Sequence, residues 1–93
     1  MEPEASIQDL VKARGETYGR PHENHARTAA LWDVYLRHKS MSIHHVLSAD
    51  DVCFMNMLQK ISRCMSRAGP SKDTLKDIQG FAENILIMHK DLR

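Results

Sequence analysis

A chain of 93 residues with 13 Lys+Arg against 12 Asp+Glu makes one small domain of nearly balanced charge. That balance argues against general nucleic-acid binding, which rests on a clear basic excess. No apolar run reaches the roughly 18 residues of a membrane span, and the acidic opening Met1-Glu2-Pro3-Glu4 is unlike a signal peptide, so no membrane association and a cytoplasmic setting are expected.

In chain order, residues 1–5 are expected to form a frayed tail ahead of a single domain, 1–93. Ser6 with Asp9 resembles an N-cap and its acidic partner, and Ile7, Leu10 and Val11 give a stripe on a short helix that stops near Gly15. The stretch from Gly15 to His22 reads as a loop, with Tyr18 between two glycines. A long helix is expected from Pro21 or His22 to about His38. Its apolar side is Ala26, Ala29, Ala30, Trp32, Val34, Tyr35 and Leu36, with the alanines allowing close helix approach. Residues 39–47 fit either a loop with one apolar anchor or a turn of helix.

Ser48 with Asp51 is a second capping signature, opening a central helix over Ser48–Met65. Val52, Phe54, Met55, Met57, Leu58, Ile61, Cys64 and Met65 leave only one polar stripe on it: Asn56, Lys60, Arg63 and Arg67. So apolar a helix is expected in the middle of a bundle, covered on several sides. Gly69-Pro70 breaks it, and Ser71 or Asp73 caps a last helix with the stripe Leu75, Ile78, Phe81, Ala82, Ile85, Met88 and Leu92. No alternating run suits a strand. The expected fold is an all-α bundle of three main helices plus the short N-terminal one.

Histidines offer the pairs His22/His25 and His44/His45, but zinc wants three or four convergent ligands. Cys53 and Cys64 lie about three turns apart on one helix, too far to pair, and suit reduced thiols. No metal site and no cofactor is expected. Asp50 and Asp51 read most simply as charges favoured at a helix N-terminus. Lys60 and Arg63, one turn apart, with Arg67 a turn beyond, can hold a phosphate or pair with Asp77 on the next helix. A short connection through Gly69-Pro70 favours antiparallel packing, which would bring Lys60, Arg63 and Asp77 into one cluster. Tyr18 and Asn24 are added to the candidate ligand site, with Asp77 as its structural partner. No catalytic residue is assigned.

Several stretches carry a family resemblance: Arg14-Gly15-Glu16-Thr17-Tyr18-Gly19, Asn24, Leu31-Trp32, Tyr35-Leu36, Lys60-Ile61-x-Arg63 and Asp73-x-x-x-Asp77-Ile78-x-Gly80-Phe81-Ala82. Over residues 14–82 the chain resembles small bacteriophage and prophage helical proteins of unknown function. It is similar in turn to nucleotide-modification-associated domains and, more remotely, to MazG-like all-α nucleotide pyrophosphohydrolases. The latter carry acid clusters for magnesium, whereas here Ser62-Arg63-Cys64-Met65-Ser66 holds no acid and Thr74-Leu75-Lys76-Asp77 keeps only the last. One carboxylate does not hold a catalytic magnesium. The resemblance therefore implies a non-catalytic phage or prophage protein in the host cytoplasm. It would act on host defence by binding a nucleotide, including a cyclic signalling nucleotide, or a host protein. The alternative is a metal-dependent pyrophosphohydrolase of MazG-like type. Apolar helix surface beyond what this length can cover implies a homo-oligomer, a dimer or higher.

Overall fold

The computed structural model describes residues 7–8, 20–39 and 46–92. Three helices carry the fold: α1 (Pro21–Lys39), α2 (Ala49–Cys64) and α3 (Lys72–Met88). Among the described residues there is no strand, so the fold is an all-α small bundle. The expected N-terminal helix lies outside the described residues except for Ile7 and Gln8, which are helical. Most of residues 39–47 also lies outside them.

Local chemistry sets the helix ends. Pro21 opens α1, where its missing N–H costs nothing. Ser48 caps α2 in a full capping box: its hydroxyl accepts from the Asp51 N–H, and the Asp51 carboxylate accepts from the Ser48 N–H. Ser71, rather than Asp73, caps α3 by accepting from the Thr74 N–H at 3.2 Å. Between α2 and α3 the chain turns through Gly69, whose φ of 71° is left-handed and suits a residue without Cβ.

Both α1 and α3 pack on α2 and scarcely on each other. Paired residues run in opposite directions. Tyr35 meets Asp51, Trp32 meets Met55 and Arg27 meets Ser62, so α1 is antiparallel to α2. Lys60 meets Asp77 and Asp50 meets His89, so α3 is antiparallel to α2 as well. At about 100° per residue, Asp51, Met55 and Ser62 share one side of α2, while Asp50, Cys53 and Lys60 share the other. The molecule is thus a layer of three helices with α2 in the middle.

This arrangement corrects two expectations. α2 is covered on two sides only, and Val52, Phe54, Ile61 and Met65 are exposed. Ala26, Ala29 and Ala30 face solvent. The side of α1 turned to α2 is Asn24, Arg27, Thr28, Leu31, Trp32 and Tyr35, spaced by threes and fours. Polar side chains at the start of α1 go inward because partners on α2 satisfy them.

Candidate functional site

Two polar systems flank α2. The first is the seam with α1. At one end the Tyr35 hydroxyl donates to Asp51 Oδ1 at 2.6 Å, and Asp51 Oδ2 accepts from Ser48 N at 2.9 Å and Ser48 Oγ at 3.0 Å. Asp51 is wholly buried, with Lys39 Nζ 4.0 Å away. Its carboxyl is held far below the usual carboxylate range, chiefly by the Ser48 N–H and then by the Tyr35 hydroxyl, against the opposing effect of burial. Tyr35 is pushed up to about 12, by burial first and then by the hydrogen bond to Asp51. Asp51 is therefore more than an N-terminal charge. It caps α2 and pins α1 with the same carboxylate.

Further along the seam, Trp32 Nε1 donates to the Met55 carbonyl at 2.7 Å. Arg27 Nη1 donates to the Ser62 carbonyl at 2.7 Å and to Asn24 Oδ1 at 3.1 Å. The Asn24 carbonyl accepts from Thr28 Oγ1 at 2.8 Å and from the fully buried Ser62 Oγ at 3.3 Å. The buried small hydroxyls let the two backbones approach closely.

The second system lies between α2 and α3. Lys60 Nζ meets Asp77 Oδ2 at 3.0 Å, and the Lys60 side chain is only 16% exposed while Asp77 is 51% exposed. Arg63, one turn on, is half-buried, and Arg67 is exposed in the turn that follows α2. At the other end of the helix pair, His89 Nε2 lies 2.6 Å from Asp50 Oδ2. That contact joins the first turn of α2 to the C-cap of α3.

Of the residues expected in a ligand site, Lys60 and Arg63 lie on α2 one turn apart, with Asp77 on Lys60, whereas Arg67 lies beyond the end of the helix. Asn24 belongs to the seam with α1. Tyr18 lies outside the described residues. His22 and His25 are exposed on α1, and His44 and His45 lie outside the described residues. Cys53 and Cys64 are free thiols. Among the described residues no three His, Cys, Asp or Glu side chains converge as metal ligands, and no helix is long and apolar enough to cross a membrane. Chemically, the stripe offers planar guanidinium donors suited to phosphate or carboxylate, with Lys60 held in place by an acid.

Sequence reasoning missed Tyr35–Asp51, Arg27–Ser62 and Asp50–His89. The first had a signal, since a capping acid and a tyrosine near the far end of the preceding helix meet in an antiparallel pair. For Arg27–Ser62 no local signal exists.

The model of a domain of unknown function, DUF6378, matches residues 5–86. Over 69 residues the chain is 39% identical to the Gene 55 protein of Mycobacterium phage L5, an alignment covering 74% of this chain and 40% of that protein. The chain thus spans less than half the length of the curated relative it matches. No solved structure matches it.

Proposed function

The chain belongs to the DUF6378 family, and on that footing we propose that it is a non-catalytic phage or prophage protein that acts on host defence by binding a nucleotide. The ligand's phosphate is held on the α2 edge formed by Lys60, Arg63 and Arg67. What supports this reading is a run of cations toward the C-terminal end of α2: Lys60, which pairs with Asp77, Arg63 one turn on, and Arg67 exposed in the turn that follows the helix. Similarity to a bacteriophage gene product supports the phage setting. Forked guanidinium donors grip a phosphate in two places, and a neighbouring ammonium adds charge without demanding a metal. Binding is preferred to MazG-like hydrolysis because the same stripe carries cations where magnesium-dependent catalysis would place acids.

The test is a thermal-shift screen of the full chain against mono-, di- and cyclic nucleotides, with and without magnesium. A ligand that binds only the native state adds about 2.7 kcal/mol when present at about 100 times its Kd. At least one nucleotide should raise Tm, and Arg67→Ala should reduce that rise. A flat response to every nucleotide overturns the proposal and turns attention to an acidic protein surface as the ligand.

A further inference from the structure

One side of the three-helix layer is left apolar. On α2, Phe54, Leu58, Ile61 and Met65 follow one another at spacings of four, three and four, and all but the half-buried Leu58 are exposed. At about 100° per residue this row stands between the side turned to α1, with Met55 and Ser62, and the side turned to α3, with Cys53 and Lys60. The same construction on the two antiparallel neighbours brings Val34 of α1 and Leu75 and Leu86 of α3 to that side, and all three are exposed. A layer of three helices has no cover for such a face, and a fourth helix laid on it closes the bundle.

We propose that residues 6–14 supply that fourth helix, docking Ile7, Leu10 and Val11 on the row of α2. The segment lies outside the described residues apart from Ile7 and Gln8, which are helical, and Ile7 is 80% exposed. Place and length favour this occupant. The Ser62 hydroxyl donates to the Asn24 carbonyl, so the first turn of α1 lies level with the last turn of α2, and the chain ahead of Pro21 enters beside Met65. Residues 15–20 reach at most about 20 Å when extended, enough to cross the roughly 10 Å between packed helix axes. Residues 6–14 in a helix then cover about 13 Å, most of the roughly 16 Å from Met65 back to Phe54. Ile7, Leu10 and Val11 stand at i, i+3 and i+4, one face of a helix, as a docked helix requires. The family match runs over residues 5–86, so the segment belongs to the same family unit as the three helices. A tethered segment also meets the row at an effective concentration on the order of millimolar, an advantage that a second copy or a separate partner lacks. The row is turned away from Arg63, so this contact stands apart from the nucleotide reading.

Hydrogen–deuterium exchange of the full chain, read by mass spectrometry, tests this. Amides of residues 10–14 should exchange at least tenfold more slowly than in an unstructured chain, and equally so when the protein is ten times more concentrated. Ile61→Glu and Leu10→Asp should each return them to unstructured rates while α2 and α3 keep their protection. Should Ile61→Glu lose its helical circular dichroism, Met65→Glu, at the exposed end of the row, takes its place. Unprotected amides in the wild type overturn the proposal. Protection that survives the α2 substitution overturns it by putting the segment elsewhere. Protection that appears only at the higher concentration overturns it by making a second copy the occupant.

Discussion

The Tyr35 hydroxyl donates to Asp51 Oδ1 at 2.6 Å, and through that one bond α1 is fastened to the N-terminus of α2. Asp51 already closes the capping box with Ser48, so a single buried carboxylate satisfies donors from two helices. Tyr35→Phe keeps the ring, including its tilted packing on Phe54 at 6.2 Å, and removes only the hydroxyl. A buried charged acceptor then loses one donor, and the expected loss of stability is about 1–3 kcal/mol. Urea unfolding of the two proteins measures it as a lower midpoint at unchanged slope.

The same pair sets the response to pH. Asp51 has a depressed folded pKa, so its contribution is fully present above the unfolded value of about 3.9 and is lost as pH falls below it. Tyr35 has a raised folded pKa, so its contribution is present below the unfolded value of about 10 and is lost as pH rises toward about 12. Unfolding midpoints measured across pH should therefore fall on both flanks. Tyr35→Phe should lessen the alkaline fall, and an alkaline limb identical in the two proteins would contradict the assignment.

Much of this frame was legible in the sequence, because helix ends depend on a few residues close together. Ser48 with Asp51, Ser71 with Thr74, and Gly69-Pro70 each act within one turn. The Lys60–Asp77 contact was also legible, since a short connection and two helix phases fix it. What lay beyond reach was which side of each helix is covered. On α2 apolar residues occupy most of the circumference, so periodicity cannot tell the covered Cys53 and Met55 from the exposed Phe54 and Ile61. On α1 the inward choice of Asn24, Arg27 and Thr28 over the alanines depends on the Ser62 hydroxyl and carbonyl, more than thirty residues away.

Gly69 supplies a test of the turn alone. Nothing lies within 4 Å of a Cβ built at this position, so a side chain meets only the backbone penalty of its φ of 71°. Gly69→Ala should cost about 1–2 kcal/mol, read as a lower thermal midpoint, with helix content unchanged.

Asp77 is half-exposed, so its ion pair with Lys60 is worth little in isolation. Asp77→Ala should lower stability by at most about 1 kcal/mol. If the stripe holds phosphate, the same change frees the Lys60 ammonium and should tighten nucleotide binding. Chemical denaturation and a binding titration on one preparation separate the two effects.

The most direct measurement of the central claim is a calorimetric titration of the wild-type chain and the Arg63→Ala/Arg67→Ala double variant with the nucleotide that gives the largest thermal shift. The account predicts saturable binding by the wild type, at least tenfold weaker in the double variant, with the assembly state of the two proteins the same. Equal affinity in both proteins would contradict the assignment of this edge as the ligand site.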